Sequence, residues 1–454
     1  MGGGLLQLVA YGAQDAYLSG NPQITFWKGL FKRHTNFAME SFRVNFSGQP
    51  NWGTKQSAVI GRHADLLYST YVEVILPDKG TDGQNFYWNN DQNRLGYNLI
   101  KYAELEIGGQ LIDRLYGEWM FLWSSLTYDI TKASLLYPMM GTQSQYISPV
   151  ELIAPADEIF VNQPLYMTDS ALLKPNTQCN TGNGKPSLPN VFYIPLDFFY
   201  TRNPGAALPL IALQYHEVKI NILWNDTQHI AGNFTKASKT PSAVQAAIYI
   251  DYIYLDVEER RRMAQESHEY LIEQTQYNED KGISSYNNRI DLTFNHPVKE
   301  LVWVVQPTSY NSCNLAIKYP YGVRNGITYY NSRLRPFDYG NQAVYKQTLQ
   351  INGQDRLDSR YGSYFSLVQP FQHHTGTATQ PGIYMYSFAL RPEEHQPSGT
   401  CNFSRIDTAT LVMEMSGDIN IDESTDNTWD VRVYAVNYNI LRIMSGMAGL
   451  SYSN

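Results

Sequence analysis

Histidines and neighbouring acidic residues are the side chains in this sequence that could act as metal ligands or as acid and base catalysts. The His-Glu pairs at 216–217 and 268–269 lack the second histidine of the His-Glu-x-x-His pattern that binds zinc in metalloproteases. Adjacent histidines stand at 373–374, where a structural or surface role is more common than a catalytic one. The carboxylates of Glu393-Glu394 are neighbours along the chain, whereas glycosidase carboxylates face each other across the substrate. We therefore predict no catalytic residue, no metal site and no cofactor.

Motifs for other chemistries are also missing from the sequence. It contains no Gly-x-Ser-x-Gly nucleophile motif, no Gly-x-x-x-x-Gly-Lys phosphate loop and no Cys-x-x-Cys pair. Its three cysteines, Cys179, Cys313 and Cys401, are too few and too scattered for a disulfide framework, which favours a reducing compartment. No apolar run approaches the roughly 18 residues that a membrane span needs. The sequence therefore favours synthesis in the cytosol over secretion or membrane insertion.

The charge distribution argues against direct nucleic-acid binding. The net charge is −8, and the longest basic run is Arg260-Arg261-Arg262. Acidic residues at 256, 258 and 259 directly precede this run, whereas binding to a phosphate backbone requires a basic face. We interpret the run as a solvated turn between two elements.

Four Asn-x-Ser/Thr sequons could carry glycans. They begin at Asn45, Asn225, Asn233 and Asn402. Such motifs are common by chance in an Asn-rich chain, and cytosolic synthesis would keep them from the secretory glycosylation machinery. Asn225 and Asn233 lie in a polar segment that could be exposed, so they are the better candidates for glycosylation.

The composition and the spacing of apolar residues predict strands along the whole chain. Aromatic residues reach 13%, with 35 tyrosines, whereas charged residues reach only 17%, which is typical of half-buried strands. Every second residue from position 66 falls on one face of an extended segment, which predicts a strand ending at Pro77; these residues are Leu66, Tyr68, Thr70, Val72, Val74 and Leu76. Similar patterns occur at 104–107, 217–222 and 411–415.

Two kinds of segment interrupt the strands. Apolar residues spaced by three and four from Leu115 to Ile130 predict one amphipathic helix packed on a sheet. Segments rich in Pro, Asn, Gly, Thr and Ser at 138–189 and 308–345 predict long surface loops.

An internal repeat is the most informative feature of the chain. Residues 105–110 match residues 349–354 with an offset of 244, and a Tyr-Gly pair follows in both copies, at 116–117 and 361–362. Three further matches follow the same order: the run ending at Pro77 with 301–305 at an offset of 230, 192–199 with 384–390, and 218–222 with 411–415. Four matches in one order indicate a duplicated β-domain with a seam near 257–270.

The duplication predicts an all-β fold of two consecutive jelly rolls. We expect two eight-stranded antiparallel jelly-roll β-sandwiches, a double jelly roll, with long loops and short helices, because such sandwiches bury edges by packing two sheets. The expected divisions are an N-terminal arm at 1–25, a first domain at 26–257, a connector at 258–270 and a second domain at 271–454.

Several longer motifs are more specific than the repeat. They occupy residues 3–15, 20–26, 33–40, 207–218 and 268–274, and in the second half residues 294–297, 352–356, 396–405 and 439–447. In these motifs the chain resembles the major capsid proteins of nucleocytoplasmic large DNA viruses, similar to those of large algal and amoebal viruses. The resemblance covers both halves, and the loops at 78–98, 139–190 and 308–345 depart from it.

The resemblance implies a structural protein of the virion. It implies a homotrimer whose six similar lobes form a pseudo-hexagonal capsomer, so that arrays of trimers tile an icosahedral shell. Implied partners are further copies of the chain, minor capsid proteins and a penton protein. The arm at 1–25 would lie at the capsomer base, towards an internal membrane, and parts of 138–190, 224–246 and 308–345 would point outward. The protein would be a late protein synthesised in the host cytoplasm, without direct contact to nucleic acid.

Two alternatives accompany this interpretation. The many tyrosines and tryptophans could instead belong to a carbohydrate-binding or glycoside-hydrolase β-sandwich, although aromatic residues in jelly rolls are more often core and interface. Relatives of the fold also serve as temporary scaffolds on immature virions, which the fold by itself does not distinguish from a permanent shell.

Overall fold

The structure is a computed structural model that describes residues 2–76, 95–140, 191–226, 244–308, 343–376, 382–415 and 428–452. The chain divides into a short N-terminal unit, residues 1–37, and a main unit, residues 38–454. The N-terminal unit contains the helices α1 (Gly3–Val9) and α2 (Asp15–Ser19), and neither helix contains a buried residue. No helix in these described stretches is long and apolar enough to cross a membrane.

The first half of the main unit is a β-sandwich. One sheet has the strand order β1-β9-β3-β6, with the short β7 paired to β3, and the other has the order β2-β8-β4-β5. The strands are β1 (Phe37–Asn45), β2 (Lys55–Ile60), β3 (Leu66–Ile75), β4 (Ile100–Ile107), β5 (Gln110–Tyr116), β6 (Val191–Pro195), β7 (Leu208–Pro209), β8 (Val218–Trp224) and β9 (Gln245–Leu255).

The second half repeats this arrangement. One sheet has the order β10-β19-β12-β16, with β17 and β20 attached, and the other has β11-β18-β13-β14, with β15 attached. The strands are β10 (His268–Ile283), β11 (Asn287–Asp291), β12 (Pro297–Pro307), β13 (Val344–Ile351), β14 (Gln354–Asp355), β15 (Arg360–Tyr361), β16 (Ile383–Ser387), β17 (Cys401–Asn402), β18 (Ala409–Met415), β19 (Trp429–Met444) and β20 (Met447–Leu450).

The helices of the main unit are short. They are α3 (Leu95–Leu99), α4 (Gly117–Thr127), α5 (Ile130–Met139), α6 (Phe199–Arg202), α7 (Val257–Gln265) and α8 (Gln369–His373), with 3₁₀ turns at Pro204–Ala206, Leu210–Ala212 and Phe403–Arg405 and a π-helical turn at Tyr364–Val368. The predicted connector, 258–270, holds most of α7 and the first three residues of β10.

The predicted repeat coincides with this duplicated topology. Strands β1 to β6, β8 and β9 occupy the same sheet positions as β10 to β14, β16, β18 and β19. Both copies of the 105–110 motif form a hairpin whose two turn residues have positive φ, namely 58° and 83° at Gly108-Gly109 and 50° and 76° at Asn352-Gly353. A type I′ turn requires this backbone, which explains why glycine and asparagine recur there.

One predicted offset does not match the faces of the strands. At an offset of 230, Val74 would correspond to Val304. Val74 lies on the buried side of β3, whose alternate residues are half-exposed, whereas Val304 packs outside the second core and Trp303 packs inside it. The apolar run of β12 is continuous because both of its faces are buried, so alternation could not reveal which side faces inward.

The single helix predicted from Leu115 to Ile130 is wrong at both ends. Leu115 lies in β5, helix α4 begins at Gly117 and ends at Thr127, and Ile130 begins the separate helix α5. Strand β5 leads directly into α4, and its last apolar residues fall by chance on the same spacing. Helix α4 is buried on nearly all sides, which indicates that it packs between two layers rather than on one sheet.

Candidate functional site

Helix α4 of the first sandwich packs against the outer face of the second sandwich. Val302 and Val304 of β12 and Tyr434 of β19 belong to the same apolar cluster as α4, whereas Leu301 and Trp303 belong to the core of the second sandwich. Every residue of β19 from Trp429 to Asn439 is buried, so this strand has neighbours on both faces. We call this contact the inter-sandwich junction.

Three aromatic residues of the first sandwich carry the apolar part of the junction. The ring centroid of Tyr116 is 4.6 Å from that of Tyr277, and the ring of Trp119 is 5.4 Å from that of Tyr434. One turn further along α4, the ring of Trp123 meets that of His374 edge-on at 6.3 Å. We call Tyr116, Trp119 and Trp123 the first stripe; their spacing of three and four places them on one side of the segment.

A forked ion pair joins α4 to β19 beside this stripe. The Arg432 Nε and Nη2 atoms donate to the two carboxylate oxygens of Glu118 at 2.7 and 2.8 Å, and the Tyr434 hydroxyl donates to Glu118 at 2.6 Å. A further bond runs from Arg432 to the Gln306 side chain at 2.7 Å. The guanidinium is almost fully buried, so its charge is stabilised only while the Glu118 carboxylate keeps this two-bond geometry.

A second charged group lies nearby, around Glu273 of β10. Its carboxylate accepts bonds from Arg202 of the first sandwich at 2.8 Å and from the fully buried Lys299 at 2.7 Å. The Arg202 guanidinium also lies over the Trp123 ring, 4.3 Å from its centroid. Burial by itself raises the pKa of Glu273, but the charges of Lys299 and Arg202 outweigh it and lower that pKa below its usual value.

His374 lies between two carboxylates at the same junction. Its Nε2 is 3.0 Å from Glu300 and its Nδ1 is 2.9 Å from Glu393. Burial lowers the pKa of His374, but the two carboxylates more than compensate and raise it to about 9. Both ring nitrogens then donate, as an imidazolium requires. Of the histidines and acidic pairs considered for chemistry, His374 and Glu393 therefore come together, and Glu300, which the sequence did not single out, completes a structural ion cluster with them.

Backbone and side-chain bonds extend the junction on both sides. The Thr275 N–H donates to Asp113 at 3.0 Å, and the Gln274 side chain donates to the Ile112 carbonyl. Burial raises the pKa of Asp113 to about 6. At the other end, the Ala448 N–H donates to His216 Nδ1 at 3.1 Å. The His-Glu pair at 216–217 thus contributes an acceptor to a structural contact.

Of the two preferred glycosylation candidates, Asn225 does not belong to this junction. The half-buried Asn225 donates through Nδ2 to the Asn98 carbonyl at 3.1 Å and accepts from the Asp226 N–H at 3.1 Å. Asn233 lies outside the described residues. Asn45 and Asn402 are exposed. Within the described parts of the chain, no group of three His, Cys, Asp or Glu side chains could hold a metal ion.

Sequence reasoning missed the charged residues of the junction. A signal for them does exist, because Arg432 interrupts the apolar run 431–436 and Glu118 lies in the first turn of α4, directly before the buried Trp119 to Trp123. A lone charge inside an apolar run indicates a buried partner. The identity of that partner, which is more than 300 residues away, is not encoded in any local pattern.

Comparisons with known proteins agree with the duplicated fold. A family model described as the major capsid protein N-terminus matches residues 25–256, and one described as the large eukaryotic DNA virus major capsid protein matches residues 259–449. The chain belongs to the family of major capsid proteins of large eukaryotic DNA viruses. These are structural proteins of the virion, so the predictions of a capsid protein and of a non-enzymatic function are confirmed, and the carbohydrate-active alternative is not supported.

Individual relatives extend over the whole chain. The major capsid proteins of Pyramimonas orientalis virus and Phaeocystis pouchetii virus are 43% and 41% identical to it, in alignments that cover 100% of each chain. The structure of VP54 from PBCV-1, fitted into a reconstruction of the virophage Sputnik, matches with a TM-score of 0.72 at 32% identity, covering 95% of this chain and 100% of that one. The Faustovirus major capsid protein matches with a TM-score of 0.65 at 12% identity, and this similarity supports only the double jelly-roll fold.

Proposed function

We propose that this capsid protein forms homotrimers that act as pseudo-hexagonal capsomers and tile an icosahedral shell. The observation that carries the proposal is the identical strand order of the two sandwiches. Three chains with two such sandwiches each would present six similar lobes, so a three-fold assembly could occupy a site with six neighbours. The similarity to the quasi-atomic model of the PBCV-1 virus capsid, with a TM-score of 0.67 at 33% identity, supports assembly into arrays.

The inter-sandwich junction suits this role because it fixes the angle between the two lobes. Apolar contacts alone tolerate small rotations, whereas the fork between Arg432 and Glu118 and the contacts around Glu273 accept one geometry. A fixed angle matters because deviations in the angle between the two sandwiches would add up over the three chains and prevent the ring from closing. The junction therefore works as a rigid corner of the capsomer.

The N-terminal unit supports the proposed contacts at the capsomer base. Within the arm at 1–25 it exposes large apolar side chains, among them Leu8, Tyr17, Leu18 and Ile24. Soluble proteins seldom leave so many unburied unless another surface covers them. We propose that the arm binds minor capsid proteins on the membrane side of the shell and that a separate penton protein fills the vertices. We retain the boundaries 1–25, 26–257, 258–270 and 271–454 as the proposed domain division.

The first experiment is a mass measurement on the purified full chain by light scattering at micromolar concentration. A trimer should have three times the chain mass of 51.8 kDa. A monomer that persists as the concentration is raised would overturn the proposed capsomer. Electron cryomicroscopy of the particle would then show whether the trimers form a permanent icosahedral shell or a temporary scaffold.

A further inference from the structure

The second sandwich contains a counterpart of the first stripe. Tyr361, Tyr364 and Val368 stand 245 residues after Tyr116, Trp119 and Trp123. The strand registers agree, because Tyr116 pairs with Tyr102 on β4 while Tyr361 pairs with Lys346 on β13. A helical segment follows in both copies. We call Tyr361, Tyr364 and Val368, with Phe371 in the next turn, the second stripe.

The two stripes differ in their surroundings. The first stripe is covered by the second sandwich of the same chain, and Trp119 and Trp123 are buried there. In the second stripe, Tyr361 is 55% exposed, Val368 38% and Phe371 88%, whereas Tyr364 between them is half-buried against the core of its own sandwich. A row of aromatic and aliphatic side chains that is mostly buried in one copy and mostly exposed in the other indicates a contact that the single chain does not complete.

The surface that would receive the second stripe follows from the same symmetry. The first stripe lies on the outer face of β10-β19-β12-β16, and the counterpart of that sheet is β1-β9-β3-β6. Its outer face carries Tyr71 opposite Tyr249 and Glu73 opposite Tyr193. Tyr193 is 42% exposed, and Tyr71, Glu73 and Tyr249 are half-buried. The outer face of the second sandwich, at Val302, Val304 and Tyr434, is fully buried.

Charge supports the match between these two surfaces. The second stripe is flanked by basic side chains, with Lys346 5.2 Å from the Tyr361 ring and Arg360 5.6 Å from the Tyr364 ring. The outer face of β1-β9-β3-β6 carries the carboxylates Glu73 and Asp251, which are half-buried. Opposite charges on facing surfaces favour association and fix its orientation.

We infer that the second stripe of one chain docks on the outer face of β1-β9-β3-β6 in a second copy of the chain. This inference rests on the proposed trimer and names its contact surfaces. Each chain then has one free stripe and one free sheet face, so contacts run head to tail and close after three chains. The ring contains six similar junctions, three within chains and three between them, each turning the next sandwich by about 60°.

Charge-introducing variants test both surfaces in the full chain. Val368→Glu should raise the dissociation constant of the trimer about tenfold or more, because it places a carboxylate in a buried contact. Tyr193→Lys should act similarly on the receiving face. Val257→Glu and Tyr452→Lys are matched controls at exposed positions outside both surfaces, and they should leave the trimer intact. Circular dichroism must show that all four variants remain folded.

A mixing experiment tests the direction of the contact. Val368→Glu chains keep an unaltered outer face of β1-β9-β3-β6, and Tyr193→Lys chains keep an unaltered second stripe. An equimolar mixture should therefore form heterodimers with one intact contact and no stable trimer. Trimers that withstand both substitutions, or that fall apart equally in the two controls, would overturn the assigned surfaces. A wild-type chain that stays monomeric would instead overturn the proposed trimer itself.

Zero-length cross-linking gives a result that does not depend on any variant folding. Wild-type chains labelled with ¹⁵N are mixed with unlabelled chains, reassembled and treated with a carbodiimide. Cross-links from Lys346 to Glu73 or Asp251 that join labelled to unlabelled peptides are expected. A trimer whose intermolecular cross-links all lie elsewhere would contradict the inference.

Discussion

Single charged residues give the inter-sandwich junction its specificity. Arg432 and Lys299 are buried at the junction, and each has a carboxylate oxygen within 3 Å, from Glu118 and Glu273 respectively. A buried ion pair adds little net stability compared with a well-packed apolar pair, but removing one partner leaves an uncompensated charge. Such pairs therefore chiefly destabilise other relative orientations of the two sandwiches, in which a buried charge would lose its partner.

Removing the Glu118 carboxylate should destabilise the chain strongly. Glu118→Ala leaves the Arg432 guanidinium buried without its fork partner, and the free energy of unfolding should fall by about 3–5 kcal/mol. Urea unfolding followed by tryptophan fluorescence would measure this. Glu394→Ala is the matched control, because Glu394 pairs with Arg391 on the surface and its loss should cost less than about 1 kcal/mol. Equal losses in the two variants would show that the fork is dispensable.

The His374 cluster should make stability depend on pH in the alkaline range. The pKa of His374 is raised from 6.5 to about 9 in the folded chain, so its charged form stabilises the fold. That contribution is complete below about pH 6.5 and is lost as the pH rises through 9. The facing groups are Glu300, Glu393 and the uncharged Trp123.

Thermal unfolding between pH 6 and 9.5 would measure this dependence. The melting temperature of the wild type should fall more steeply over this range than that of His374→Gln, which cannot carry the charge. His373→Gln, at the neighbouring position, should follow the wild-type curve. Parallel curves for wild type and His374→Gln would contradict the assigned role.

At the scale of elements, α4 decides how the two sandwiches meet. It begins immediately after β5, and its first residue, Gly117, lies against two backbone carbonyls of α3 and β4. A Cβ atom there would stand 2.2 Å from the Ile100 oxygen and 2.3 Å from the Tyr97 oxygen. This close approach sets the direction in which α4 leaves the first sandwich.

Substituting Gly117 should therefore shift α4 as a whole. Gly117→Ala should cost up to about 3 kcal/mol of folding free energy, because backbone carbonyls cannot move aside as a flexible side chain could. Gly449→Ala is the matched control, since the added methyl group would meet only the Gln110 side chain at 3.5 Å. Chemical denaturation of both variants would measure the difference, and a Gly117→Ala chain as stable as the control would show that α4 can adjust.

At the scale of the whole molecule, duplication gives the chain two versions of one contact. The version inside the chain is complete, because α4 covers the outer sheet face of the second sandwich. In the proposed contact between copies, each chain would supply one half at each end: the second stripe on one sandwich and the half-exposed outer face of β1-β9-β3-β6 on the other. A chain of this kind polymerises unless the angle of the junction closes the ring. In the proposed capsomer, the rigid inter-sandwich junction would therefore also limit the assembly to three chains.

The strands and the duplication could be predicted from the sequence because their signals are local. Alternation from Leu66 to Leu76 predicted β3, which spans Leu66–Ile75, and the recurring glycine and asparagine of the hairpins mark turns with positive φ. Motifs in both halves identified the capsid protein family. These features depend only on residues near one another in the chain.

The inter-sandwich junction was decided by the tertiary structure. Whether Val304 faces the core or α4, where the segment from Leu115 to Ile130 divides, and which carboxylate neutralises Arg432 all depend on contacts between residues far apart in sequence. A strand buried on both faces loses its alternation. The apolar spacing from Leu115 to Ile130 continued across the end of β5, helix α4 and the start of α5, so it did not mark where one element ends and the next begins. The sequence by itself thus determined two jelly rolls of a capsid protein, and only the packing of one on the other determined the corner that they form.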